Sequence, residues 1–144
     1  MLRGLTRRCV MNLASSPSSA SFHEALVIDA ARCWREARDG DCPPLPTLFS
    51  RLERRRVGVL APSLNALFAV HEAWSGRRFR AAASESAGLT EDEQHLLDLL
   101  HGDASAVPDA AKRPGLSDPL RIALRSTRIM LSGVLRSENP DELQ

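Results

Sequence analysis

Cys33 and His71 are the two residues whose types could do chemistry together. A thiolate attacks electrophiles, and an imidazole beside it accepts its proton. Both lie on apolar stripes of predicted helices, at positions that face a core. Buried cysteines behave mostly as small hydrophobic residues, and buried histidines mostly as hydrogen-bonded core residues. We therefore interpret both as structural and leave open whether they meet in space.

A metal site would have to use ligands from four separated segments. The candidates are His23, Cys33, His71 and His95. No CxxC pair and no His-x3-His pair is present, and three cysteines are too few and too irregularly spaced for a zinc motif or a disulfide framework. Phosphate-binding loops and hydrolase motifs are also missing from the sequence. We predict no metal and no cofactor, and the sequence offers little support for enzyme activity.

The composition is that of a small globular protein. The 144 residues carry a net charge of +1 and are 43% hydrophobic, which suits one compact domain. No stretch approaches the roughly 20 apolar residues of a membrane span, so we expect a cytoplasmic protein with reduced thiols. All but one of the 19 basic residues are arginines, a bias typical of a GC-rich bacterial genome. The arginine content is therefore a poor indicator of nucleic-acid binding.

The hydrophobic periodicity is helical throughout, and alternating β-branched runs are missing. The predicted helices cover residues 21–39, 45–56, 62–75, 91–101 and 117–137. The fold class is all-α, a small antiparallel bundle of four to five helices forming one domain over residues 21–137. Residues 1–20 are Arg-rich and Ser-rich without acids, and we expect a disordered lead there, with Met11 an alternative start. Residues 138–144 form a short polar tail.

Capping signals set the expected helix ends. Ser21 with Glu24, and Thr90 with Glu93, have the spacing of a capping box. Gly40 stands where the first helix needs a C-terminal stop, and Gly76 stands where the third helix needs one. In the second helix the residues expected to face inward are Leu45, Leu48, Phe49 and Leu52.

The last predicted helix is the most clearly amphipathic. Its inward stripe consists of Leu120, Leu124, Leu131, Val134 and Leu135. Ile122 and Ile129 lie on the opposite side, bordered by Arg121, Arg125 and Arg136. These isoleucines either form an exposed apolar ridge for an acidic partner helix or a second copy of the chain, or are covered by the first helix through Trp34.

Three functions remain open from the sequence, and the third, an enzyme or thiol sensor centred on Cys33, has little support. The first is a protein-interaction or regulatory module that binds a protein partner, or itself, through Ile122, Arg125, Ile129, Arg121 and Arg136. The alternative is a helix-turn-helix DNA-binding regulator that uses the helices near 45–56 and 62–75. The outward face of the second of these helices would offer Asn65, Ala69 and Glu72, which suits DNA poorly. A basic patch from residues 54–56 and 77–80 is a further candidate surface.

Overall fold

The fold is all-helical in the residues that the computed structural model describes, 19–102 and 114–138. The five α-helices are α1 (Ser19–Asp39), α2 (Pro44–Glu53), α3 (Ala61–Ser75), α4 (Glu91–His101) and α5 (Ser117–Glu138). Short 3-10 turns, Gly58–Leu60 and Pro114–Leu116, precede α3 and α5. The predicted all-α bundle is confirmed. The predicted lead, up to residue 18, and the tail from residue 139 lie outside the described residues.

α3 is the central helix of the bundle because it is apolar around most of its circumference. It packs against α1, α2 and α5. Leu64, Leu67 and Phe68 are fully buried, and the Phe68 ring lies 5.6 Å from the ring of Trp34 on α1. The remaining helices bury their apolar stripes around this core, as the periodicity predicted.

α1 ends at Asp39 as predicted, but it begins two residues early and neither predicted end signal has its expected role. The helix begins at Ser19, so Ser21 lies inside it and does not cap it. At the other end the Gly40 N–H still bonds the Glu36 carbonyl at 3.0 Å, which continues the helical pattern by one residue. The left-handed residue is instead Asp41, with φ 54°. Aspartate tolerates this conformation better than most residues, so glycine is not required there.

α2 is shorter and less buried than predicted. It ends at Glu53, and residues 54–57 form a turn closed by the Val57 N–H on the Leu52 carbonyl at 3.1 Å. Leu48 and Leu52 are buried as expected. Leu45 and Phe49, however, are exposed, because this short helix contacts the bundle along one narrow stripe.

The predicted capping box at the start of α4 is confirmed. The Glu93 N–H donates to Thr90 Oγ1 at 3.1 Å, and the Thr90 N–H donates to Glu93 Oε2 at 3.0 Å. The end of α3 is also as expected, with Gly76 in the left-handed conformation. Local signals therefore fix these two helix ends correctly.

The Glu93 carboxylate also forms a buried ion pair that the sequence did not indicate. Its side chain is 0% exposed, and it accepts from Arg32 Nε on α1 at 2.9 Å and from the Ala82 N–H at 2.9 Å. Arg32 also donates to the carbonyls of Ser86 and Gly88, each at 2.8 Å. This pair joins α1, the 77–90 loop and α4.

Burial by itself would raise the pKa of Glu93. The hydrogen bonds from Arg32 and from the Ala82 and Thr90 amides outweigh it and hold the pKa below its usual value. A carboxylate with a lowered pKa in the folded state contributes stability above its unfolded pKa and loses that contribution as the pH falls through its folded pKa. The Arg32–Glu93 pair is therefore an acid-sensitive contact.

Removing the cap of α4 is expected to destabilise the fold measurably. Thr90→Ala deletes the oxygen that accepts the Glu93 N–H, which costs about 1 kcal/mol. Thr90→Ser keeps that oxygen and serves as the control. Urea unfolding of the two variants checks this, and equal midpoints for Thr90→Ala and the wild type would contradict it.

Neutralising the buried carboxylate is expected to have a larger, pH-dependent effect. Glu93→Gln leaves the Arg32 charge buried without its counterion, and we expect a loss of about 3 to 5 kcal/mol near neutral pH. The difference in unfolding free energy between the variant and the wild type should shrink as the pH falls, because the Glu93 carboxylate of the wild type then becomes protonated. Glu91→Gln, at an exposed position two residues earlier, is the control, and urea unfolding over a pH series is the measurement.

Candidate interaction surface

α5 is anchored in the bundle along one side only. Leu120, Leu124 and Leu131 are buried against the core, together with Thr127, and α5 packs mainly on α3. Thr127 Oγ1 donates to the Ala123 carbonyl at 2.8 Å, which satisfies the buried hydroxyl within the helix. The side chain of Leu135 lies outside the described residues. The inward stripe is therefore sufficient to hold α5 in the bundle, and no contact from the opposite face of the helix is needed.

The two isoleucines on the opposite face are open to solvent. Ile122 and Ile129 are each 65% exposed. They stand seven residues apart, which places them on one side of the helix two turns from each other. Trp34, expected as their cover, is buried against Phe68 and hydrogen-bonds Asn65 on α3 at 3.0 Å. The alternative in which α1 covers the isoleucines is wrong.

The predicted arginines of this face differ in what they do. Arg125 and Arg136 are exposed and form no ion pair with any residue between 19–102 or 114–138. Arg121 is partly buried and donates to Asp118 at 2.7 Å, one turn earlier on the same helix. The structure thus leaves two of the three predicted arginines available to a ligand. We call Ile122, Arg125, Ile129 and Arg136 the outer face of α5.

Arg128 has a separate, structural role. Its guanidinium donates to the Leu100 carbonyl at 2.7 Å and also to the carbonyls of Leu99 and Gly102, at the C-terminal end of α4. These carbonyls have no partner within their own helix, and a cation there also complements the helix dipole. Arg128 therefore ties α5 to α4.

A groove that the sequence analysis did not predict runs beside the C-terminal half of α5. It lies between the turn after α2 and α5, with a volume of about 710 Å³. One side is formed by Val59, 60% exposed, and the other by Ile129 and Met130. Arg55 and Arg56 are at its edge, and Gly133 lines it from α5. Because its two sides are 70 or more residues apart in sequence, no local pattern could reveal it.

His71 lies in an aromatic cluster at the other side of α3. It is buried, as predicted, and its Nε2 lies 3.2 Å from Nδ1 of His95 on α4. The His95 ring stacks on Trp74 at 5.8 Å, and the Phe79 ring meets His71 edge-on at 5.6 Å. One of the two facing nitrogens must carry a proton for this hydrogen bond to form. The cluster joins α3, α4 and the 77–90 loop.

Cys33 has partners that differ from those of His71. Its Sγ lies 4.0 Å from the carbonyl of Thr47 on α2, at the edge of the core. Burial is the main cause that raises the pKa of the Cys33 thiol. A thiol with a raised pKa is a poor nucleophile at neutral pH. The geometry therefore favours the structural interpretation of Cys33 over a thiolate–imidazole pair with His71.

Two of the four candidate metal ligands, His71 and His95, lie together, but the four do not converge in the described part of the chain. No cluster of three or more histidine, cysteine or carboxylate side chains is present there. Asp92, which lines one pocket with His71 and His95, accepts from Arg77 and from the Arg80 N–H. This acid is therefore already engaged by cations and amides of the 77–90 loop.

Two of the three arginines of the 77–90 loop, Arg77 and Arg78, pair with acids of the fold. Arg77 pairs with Asp92, and Arg78 pairs with Asp39 at the end of α1. Arg54 to Arg56 are exposed in the turn after α2. The two arginine clusters thus have different environments, and only the second borders the groove.

The outward face of α3 offers little that would bind DNA. Its exposed positions include Pro62, Ala66, Ala69 and Ala73. Phosphates and base edges are read by hydrogen-bonding side chains, which these residues lack. The polar residues of α3 are engaged within the fold: Asn65 accepts from Trp34, and Glu72 pairs with Arg35 and Arg38. No observation in the described residues favours the helix-turn-helix alternative.

Comparison with known proteins adds no relative. No family model matches the chain, and no curated protein or solved structure is significantly similar to it. Within residues 19–102 and 114–138, none of the helices combines the length and apolar character needed to cross a bilayer. The function must therefore be argued from the surface of the molecule.

The environment of Cys33 predicts slow alkylation. Because burial raises its thiol pKa, the thiolate fraction at neutral pH is small, and the rate should increase as the pH is raised. We expect iodoacetamide to modify Cys33 at least about tenfold more slowly than the exposed Cys42. Peptide mapping by mass spectrometry measures both sites, and the difference should vanish in urea. Faster modification of Cys33 than of Cys42 would restore the nucleophile interpretation.

Proposed function

We propose that this protein is a protein-interaction module that binds an acidic, apolar segment of a partner protein through the outer face of α5. The observation that carries the proposal is the exposure of Ile122 and Ile129 on a helix that the core holds by its other side. The interaction requires no cofactor and no chemistry from the module itself. It is a binding function, to which the rest of the bundle contributes rigidity.

The two isoleucines supply the apolar part of the contact. Complete burial of an isoleucine side chain contributes about 1.5 to 3 kcal/mol. Neither side chain packs into the described fold, since both lie on the side of α5 that faces away from the bundle core. Two such residues on one helical face, flanked by polar ones, resemble the apolar centre and charged rim of a protein interface. A partner would bury surface that the monomer leaves in water.

The exposed arginines favour a partner segment that carries negative charge. Arg125 and Arg136 flank the isoleucines without an ion pair in the described residues, and the exposed Arg55 and Arg56 are close to Ile129 across the groove. A partner with carboxylates beside its apolar residues would complement these charges and associate faster at low salt. A second copy bound through the same face around a twofold axis would set arginines against arginines. Charge complementarity therefore favours a different, acidic protein.

We place this interaction in the bacterial cytoplasm. The arginine-rich, lysine-poor composition favours a bacterial source. Cys33 and Cys42 are free thiols, which are typical of reducing compartments. The proposal does not depend on this placement, because it concerns a surface and its complement.

The test uses a synthetic probe in place of the unidentified partner. The probe is an amphipathic peptide of about 18 residues, with leucines at helical spacing and glutamates beside them. We expect it to bind the wild-type protein and to lose most of its affinity for the Ile122→Ser/Ile129→Ser double variant. Fluorescence anisotropy at low and high salt is the measurement. The same peptide with lysines in place of glutamates should bind much more weakly.

Controls distinguish the loss of a binding contact from unfolding of the protein. The double variant should unfold within about 0.5 kcal/mol of the wild type for each substitution, because both side chains are exposed. Leu45→Ser/Leu89→Ser removes two exposed leucines elsewhere and should leave peptide binding intact. Equal binding to both double variants would overturn the proposal. A concentration-dependent dimer that the isoleucine substitutions dissociate, seen by sedimentation, would identify a second copy as the occupant instead.

A further inference from the structure

We propose that the groove between the turn after α2 and the C-terminal half of α5 seats one α-helix of the acidic partner, with a large apolar side chain lying over Gly133. This inference rests on the proposed function and specifies the seat and the shape of the partner segment. The groove has a volume of about 710 Å³, within the range of pockets that hold ligands. It is continuous with the outer face of α5 through Ile129, which belongs to both.

Gly133 is the first feature that points to an occupant. It lies inside α5, where glycine is a poor helix former compared with alanine. A Cβ at this position would meet nothing within 4 Å, and its φ is not in the left-handed region. The described fold therefore requires neither the small size nor the backbone freedom of this glycine. What its missing side chain provides is an open floor in the groove.

Arg56 is the second feature, on the opposite side of the groove. Its φ is 60°, in the left-handed region where glycine is the usual residue after a helix. The hydrogen bonds Arg56 N–H to Glu53 and Val57 N–H to Leu52 enforce this conformation. A glycine would adopt it without strain, whereas a side chain with a Cβ carries strain. The arginine adds a positive charge at the edge of the groove at the expense of stability.

Both sides of the groove thus contain a residue that makes the fold less stable than a simple substitute would. Strained and suboptimal residues of this kind concentrate at functional sites. The two positions are independent in sequence and in physical cause: one is a helix-propensity defect and the other a strained turn. Their meeting in one groove is the reason to prefer this seat over the rest of the exposed surface.

The walls of the groove favour a helix as the bound shape. The described residues offer no strand edge to which an extended peptide could add, and the groove has no aromatic wall of the kind that holds a polyproline segment. The α5 stretch from Ile129 to Ser137 is about 12 Å long, which matches two turns of a helix. Val59 and Met130 supply aliphatic contacts, and methionine adapts to irregular partners.

The test compares two substitutions at Gly133 that have similar effects on the fold. Gly133→Ala and Gly133→Leu both replace glycine with a strong helix former, so both should shift the urea midpoint upward. Only leucine is large enough to fill the groove. We expect the glutamate-flanked peptide to bind Gly133→Ala like the wild type and to bind Gly133→Leu about tenfold more weakly or worse.

A second pair of variants tests the charged edge. Arg56→Gly should raise the urea midpoint, because glycine adopts the left-handed conformation without strain. The same change should weaken binding of the glutamate-flanked peptide and make that binding less dependent on salt. Arg54→Gly removes the same charge from a residue that does not line the groove and should change binding less. If the Arg56→Gly variant binds the peptide with unchanged affinity, Arg56 is not part of the binding site.

The outcomes separate this inference from the proposed function. Ile122 belongs to the outer face of α5 but does not line the groove. If Ile122→Ser weakens peptide binding and Gly133→Leu does not, the interaction function stands and the groove is not the seat. If neither changes binding, both proposals fail. If a stable dimer forms and Gly133→Leu abolishes it, the occupant is a second copy, which overturns the acidic partner.

Discussion

The buried Arg32–Glu93 ion pair is the contact on which the arrangement of α1, α4 and the 77–90 loop depends. Two buried charges are costly unless their hydrogen bonds are satisfied. Glu93 accepts from Arg32, Ala82 and Thr90, and Arg32 reaches the loop carbonyls as well. The loop must therefore pack against α1, because its backbone groups supply the remaining hydrogen bonds of the pair. The pair thereby ties a segment without regular secondary structure to both helices.

Much of the fold was predictable because its determinants are local. The helical periodicity, the Thr90 capping box and the Gly76 stop each depend on residues within a few positions of one another, and each is confirmed. The two predictions that failed also rest on local patterns. The Ser21 cap and the Gly40 stop are sequence patterns that the extended α1 does not use, since the helix starts earlier and turns at Asp41. A capping pattern shows where a helix is able to end, and tertiary packing selects the end.

The candidate surface was only partly predictable. Periodicity placed Ile122 and Ile129 opposite the buried stripe, but the sequence left open whether another helix covers them, because that depends on how the helices pack. The groove was beyond reach for the same reason: Val59 and Gly133 meet only in the folded molecule. The buried Arg32 was missed because an arginine on a helix is usually solvated, and its counterion is 61 residues away. Long-range polar pairs leave no periodic trace.

α4 is held at both of its ends by arginines from other helices. Arg32 of α1 engages its first turn through Glu93, and Arg128 of α5 engages its last carbonyls. An excursion that unwinds α4 must therefore release α1 or α5 as well, so its amides should exchange with solvent hydrogen in a larger cooperative opening than the length of this helix suggests. Any ligand that slows the motion of α5 would slow amide exchange in α4 too. The short helix thus becomes a reporter of events on a face of the molecule to which it does not contribute.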